Sequence, residues 1–144
     1  MTIVQKRWTG RGPLLNLKTQ QIPVPSEYQE CKAFWAYALL IPSLGDNLIK
    51  NANERISDDG GWFTRALCAI GLRKGLPDYQ YIVPNEKYHT LWIEMKRSDQ
   101  RGKKTRDEQD KWIERLLKNG HYACYAYGCD DAIKIYKDYT ENRI

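Results

Sequence analysis

Apolar residues recur along the chain with two different periods, and the change of period separates helical from extended stretches. Tyr28, Cys31, Trp35 and Leu39 fall three or four apart, the spacing of one helical face. Ser26-Glu27-Tyr28-Gln29 has the form of a capping box, so a helix is predicted from about residue 27 until Pro42 stops it. Residues 43–61 read as mostly loop, with a short strand at Leu48-Ile49-Lys50, and a second helix is predicted over Trp62–Leu72, ended by Gly71 and Gly75. Beyond Pro77 the strand formers of Asp78–Val83, the turn Pro84–Lys87 and the run Thr90–Lys96 predict a hairpin.

Thr105-Arg106-Asp107-Glu108 is a second capping box, opening a helix that carries Trp112, Ile113, Leu116 and Leu117 on one side before Gly120. Tyr122–Tyr127 then reads as a strand, and a last helix starts at Asp130 or Asp131 and runs through Ile133, Ile135 and Tyr136. This order predicts a single α/β domain with a mixed central sheet over residues 26–144. Residues 1–25, with Gly10, Gly12, Pro13, Pro23 and Pro25 among polar residues, read as an N-terminal arm. Trp35, Trp92 and Trp112 are assigned to packing, whereas Trp8 in the arm is the aromatic with a claim on DNA or a partner subunit.

Composition narrows the class. A chain of 144 residues can bury roughly two thirds of its unfolded surface, so it needs no disulfide or metal to hold a core. Its apolar runs are too short to span a bilayer, and MTIVQKRWTG lacks the apolar region of a signal peptide, so no membrane role and a cytoplasmic location are expected. The four cysteines, Cys31, Cys68, Cys124 and Cys129, form no Cys-x-x-Cys pair and have only His89 and His121 to join them, so buried reduced thiols are expected rather than a zinc module.

The net charge of +5 is unevenly placed. Residues 1–25 carry +4 and residues 96–106 carry +5, leaving a mildly acidic remainder. Two basic segments on such a body point to a polyanion partner, most simply nucleic acid.

Glu94 and Lys96 lie two apart on a predicted strand, so their side chains leave one face, with Cα atoms roughly 6.5–7 Å apart. Leu91, Ile93 and Met95 point the other way, towards the core. Asp78, just after Pro77, begins the neighbouring hairpin strand and is expected close to Glu94. Two carboxylates brought together repel unless a proton or cation lies between them. Mg²⁺ suits such a pair, because it accepts one or two carboxylates and keeps waters that a phosphate oxygen can replace. With Lys96 beside it, the set outlines a site for phosphodiester hydrolysis. Gln109 falls one turn into the following helix and would come beside Lys96.

With that context the chain resembles the VRR-NUC domain of the PD-(D/E)XK nuclease superfamily. The resemblance is carried by Lys74-Gly75-Leu76-Pro77-Asp78, Trp92-Ile93-Glu94-Met95-Lys96, Glu108-Gln109 and Leu116-Leu117-Lys118-Asn119-Gly120. It extends to Pro25-Ser26-Glu27, Asn53-Glu54-Arg55 and Gly128-Cys129-Asp130-Asp131-Ala132, thus about residues 25–139, and suggests a stand-alone phage-type or bacterial member. It implies a restriction-endonuclease-like core, with Asp78, Glu94 and the main-chain carbonyl of Met95 as metal ligands, Lys96 as catalytic lysine and Gln109 beside it. Glu27 would add a further carboxylate, with Glu30 as the alternative. The implied cofactor is Mg²⁺ or Mn²⁺, and the implied activity is that of a homodimeric nuclease cutting branched DNA such as four-way (Holliday) junctions. Lys74 and Arg55 are candidate phosphate clamps, and Arg97, Arg101, Lys103, Lys104 and Arg106 are expected to touch DNA. The contrasting readings are a non-catalytic nucleic-acid-binding module and an accessory subunit of a phage DNA-processing machine.

Overall fold

The alternation of Leu91, Ile93 and Met95 with Trp92, Glu94 and Lys96 is realised as strand β3 (Leu91–Lys96), and the other elements are arranged around its two faces. The computed structural model describes residues 22–51 and 61–144, apart from the side chains of Phe63 and Thr64. Helix α1 (Glu27–Leu39), the one-turn helix α2 (Pro42–Gly45) and strand β1 (Leu48–Lys50) come first. Helix α3 (Trp62–Ala69), strand β2 (Tyr79–Tyr81), β3 and a 3-10 turn (Ser98–Gln100) follow. Helix α4 (Asp107–Lys118), strand β4 (Tyr122–Tyr127) and helix α5 (Cys129–Thr140) complete the order.

The sheet runs β1-β2-β3-β4 in space. β1, β2 and β3 pair antiparallel, while β4 joins β3 in parallel, Leu91 opposite Tyr122 and Lys96 opposite Tyr127. A parallel neighbour needs a crossover, and α4 supplies it. The sheet is therefore mixed, as the element order predicts.

Each face of β3 has its own cover. Leu91, Ile93 and Met95 pack with Tyr79, Tyr81 and Ala126 beneath Cys31, Phe34 and Ala38 of α1 and Ala132, Tyr136 and Tyr139 of α5. Each large side chain withdrawn from water there contributes roughly 1.5–3 kcal/mol. On the other side α4 packs against β4 and turns its buried residues Gln109 and Leu116 inward.

Several local expectations are corrected. The core face of α1 is Cys31, Phe34 and Ala38, whereas Tyr28, Trp35 and Leu39 are exposed. The helix is apolar on two sides, and the sheet selects the side with the smaller, flatter residues Ala38 and Cys31 flanking Phe34. Ser26 does form its capping box, exchanging hydrogen bonds with Gln29. Thr105 does not form one. The N-cap of α4 is Arg106, and the Thr105 hydroxyl instead donates to the Asp110 carboxylate at 2.7 Å. Asp107, Glu108 and Asp110 in the first turn favour the helix dipole without a side-chain cap. Pro42 does not simply end a helix; it occupies the first turn of α2, where its missing N–H costs nothing. α3 ends at Ala69, three residues early, and α5 begins at Cys129. Leu117 is exposed rather than packed with Leu116. Cys31 is buried and Cys124 and Cys129 half-buried, but Cys68 is exposed. Among the described residues no helix is long and apolar enough to cross a membrane. The arm with Trp8, and the segment with Arg55, lie outside the described residues.

Candidate active site

Pro77 decides where the β2–β3 ladder stops. Continuing the β2–β3 register beyond Tyr79 and Ile93 places Pro77 opposite Met95, and a proline has no N–H to extend the ladder. The Met95 N–H is taken up by the Asp78 side chain, whose Oδ2 accepts it at 2.8 Å. Asn51 fastens the same corner from the β1 side. Its N–H donates to the Asp78 carbonyl at 2.7 Å and its side-chain amide to the Pro77 carbonyl at 2.8 Å. Asp78 is thus fixed at the end of the sheet, next to the middle of the Glu94-Met95-Lys96 run.

The four buried polar residues among those described are Glu30, Asp78, Glu94 and Gln109, and three of them meet here. Glu94 is only 4% exposed. Its Oε1 accepts from Lys96 Nζ at 2.9 Å and also from the Gln109 side-chain amide. Gln109 Oε1 is the one buried side-chain oxygen or nitrogen among the described residues without a hydrogen-bond partner. Burial, first, and the neighbouring Asp78 charge raise the Glu94 pKa to about 7, against the opposing pull of Lys96; Glu27 adds to the rise.

A cleft of about 230 Å³ opens beside this cluster, lined in part by Glu27, Lys96, Gln109 and Tyr127. Lys103, Lys104 and Arg106 complete its basic side. Asp78 and Glu94 lie behind Lys96 and Gln109 rather than on its wall. Tyr125 braces Lys96 against α4: its hydroxyl donates to Asp110 Oδ1 at 2.7 Å, and its ring lies 5.7 Å from Lys96 Nζ. These contacts hold the Asp110 carboxyl below the usual carboxylate range, through the Tyr125 and Thr105 hydroxyls.

The structure separates the two candidate glutamates. Glu27 lines the cleft, whereas Glu30 turns to the start of α5 and accepts the Cys129 N–H at 2.8 Å. Of the candidate DNA contacts, Lys103, Lys104 and Arg106 stand at the cleft. Arg97 is paired with Asp99 at 3.1 Å, and Arg101 with Asp131 at 2.8 Å while its guanidinium lies over Tyr127. Lys74 is exposed but does not line the cleft; its carbonyl instead accepts from Trp112 Nε1 at 3.0 Å, docking that loop on α4.

Sequence reasoning passed over Lys50. Its ammonium lies 3.0 Å from Asp78 Oδ1. The available signal was a charged residue two positions after buried Leu48 on a short strand. Asn51 and Tyr125 were also missed, because their contribution is a contact with residues far away in sequence.

Among the described residues no three His, Cys, Asp or Glu side chains gather as a ready-made metal cage. The donors that do lie together are hard oxygens, the Asp78 and Glu94 carboxylates, with Gln109 hydrogen-bonded to Glu94. That set fits a cation such as Mg²⁺, which takes few carboxylates and keeps its waters.

The mixed sheet thus ends in buried carboxylates beside a lysine, with a helix presenting a glutamine to them. Among solved structures the chain is similar to one described as a VRR_NUC domain protein, with a TM-score of 0.67 and 20% identity over 83% of this chain and 91% of that one. The chain thus has the fold of a VRR-NUC domain. No protein-family model matches it, and no curated protein does.

Proposed function

We propose that the protein is a divalent-metal-dependent deoxyribonuclease that hydrolyses phosphodiester bonds, selective for branched DNA such as four-way junctions. The observation that carries this reading is the buried Asp78–Glu94 pair with Lys96 and Gln109 at its edge, opening towards a basic cleft. A cation held by Asp78, Glu94 and the Met95 carbonyl would supply Lewis acidity toward a phosphate oxygen and lower the pKa of a bound water. Lys96, reaching from Glu94 to the cleft, donates to the phosphate oxygen that gains charge as water attacks. Gln109 Oε1 accepts a hydrogen bond from the attacking water and so orients it. Glu27 lies on the cleft wall as a further acceptor. Lys103, Lys104 and Arg106 hold the flanking backbone, giving binding a steep salt dependence.

Branched-DNA preference and a homodimer rest on the VRR-NUC resemblance. A two-fold dimer would place two matched nicks on a junction. The exposed apolar stripe Tyr28, Trp35 and Leu39 on α1 is a surface that a second copy could cover.

One observation favours a second reading, a non-catalytic nucleic-acid-binding module: each carboxylate is already paired within the chain, Asp78 with Lys50 and Glu94 with Lys96. Labelled duplex, flap and four-way-junction DNA incubated with Mg²⁺, Mn²⁺ or EDTA separates the two. The nuclease reading expects metal-dependent cutting with the junction preferred. Binding without cutting in either metal would overturn it in favour of the module.

A further inference from the structure

Among the described residues, Lys50 has three contacts that form a seat on the β1 side of the site. Asp78 Oδ1 lies 3.0 Å from its ammonium, the Asn51 carbonyl accepts from it at 3.3 Å, and the Tyr79 ring centroid is 5.3 Å away. Carboxylate, carbonyl and aromatic face are the three surfaces that bind an ammonium well. The Lys50 side chain is 32% exposed and that of Asp78 only 11%, so the lysine can leave the seat for solvent while the aspartate cannot follow it. The other oxygen of Asp78 accepts the Met95 N–H, so Oδ1, the atom that Lys50 contacts, is the oxygen held by no backbone group.

Resting on the nuclease reading above, we propose that Lys50 is a built-in competitor for the divalent cation. Its ammonium balances Asp78 while the site is metal-free and is displaced from Oδ1 when the cation binds. Two cations cannot share one carboxylate oxygen at contact distance without repulsion, so the affinity for metal is set partly by the work of moving Lys50 away. Lys50 is accordingly a positioning residue. It keeps Asp78 aimed in the empty site and lowers metal affinity.

The test is Mn²⁺ binding measured by titration calorimetry on the full chain, with no DNA and no turnover. Wild type is compared with Lys50→Met, Lys50→Gln, Lys50→Arg and Asp78→Asn, each checked for folding by circular dichroism. Lys50→Met and Lys50→Gln are expected to bind Mn²⁺ roughly three- to tenfold more tightly than wild type. Lys50→Arg, which keeps the charge, is expected to bind no more tightly than wild type. In thermal melts the neutral variants should fall below wild type without metal and recover on adding Mn²⁺. A merely structural lysine would lower stability without raising metal affinity. If wild type binds Mn²⁺, Asp78→Asn abolishes binding and the neutral Lys50 variants bind equally or less well, the inference fails while the nuclease reading stands. If wild type binds no Mn²⁺, both fall.

Discussion

The two ends of the central sheet solve opposite problems. At the end where β3 begins, the polar atoms of large side chains find acceptors: the Tyr139 hydroxyl donates to the carbonyls of Val83 and Tyr88, at 3.1 and 3.2 Å, and the Tyr81 ring stands edge-on to Tyr136 and Tyr139. At the end where β3 stops, two carboxylates are buried side by side, one with its pKa raised to about 7, beside an amide oxygen with no partner. The first end is built for stability, and the second accepts a cost that a ligand can relieve. Conflict of this kind, beside buried polar groups that are otherwise satisfied among the described residues, is the physical ground for a candidate functional site.

That contrast can be broken at either end. Tyr139 is fully buried, so Tyr139→Ala should destabilise the protein by about 3–5 kcal/mol, while metal-dependent activity per folded molecule stays near wild type. Chemical denaturation alongside an activity assay checks it. A loss of activity beyond the loss of folded protein would mean that the two ends are not independent.

The carboxylate end should show itself in pH dependence. Glu94 has a folded pKa of about 7, above the ordinary glutamate value of 4.5, so the native state binds the extra proton. Stability from this group is then fully present below pH 4.5 and is lost as pH rises to about 7, up to about 3 kcal/mol in the metal-free protein. Glu94→Gln should flatten that slope in denaturant midpoints taken from pH 4.5 to 8; an unchanged slope would sink the assignment.

Gly128, at φ +92° and ψ 168°, occupies a region that glycine alone adopts readily, and an added Cβ would lie 3.3 Å from Glu30 Oε1. Gly128→Ala should therefore cost about 1–3 kcal/mol in melts. The smallest effect is expected from Tyr125→Phe, which removes one hydrogen bond to Asp110. It should cost about 0.5–1.5 kcal/mol and slow cleavage slightly by loosening the support of Lys96.

Much of this was legible in the chain. β3 and β4 follow from short-range alternation, and Pro77-Asp78 with Glu94-x-Lys96 carries enough local geometry to bring Asp78, although β2 begins one residue later at Tyr79, beside Glu94 and Lys96 of β3. Gln109 followed from its place one turn into α4. What the chain left undecided depends on long-range contacts. The apolar residues of α1 lie on two sides, and only the sheet chooses Phe34 over Trp35. Glu27 and Glu30 are three apart on one helix, and the N-terminus of α5 claims Glu30. Lys50 reaches Asp78 across β1 and β2, a pairing that no local spacing announces. Thr105 has the right motif for a cap, but Asp110 competes for its hydroxyl.

The most direct test of the central claim is the cleavage of a four-way junction in Mg²⁺ or Mn²⁺ by wild type and by Glu94→Gln, with the thermal melt of each recorded metal-free at neutral pH. The account predicts that Glu94→Gln loses cleavage by at least about a thousandfold and yet melts no lower than wild type, because it removes a buried charge and keeps the shape. A variant that still cuts at the wild-type rate would contradict it.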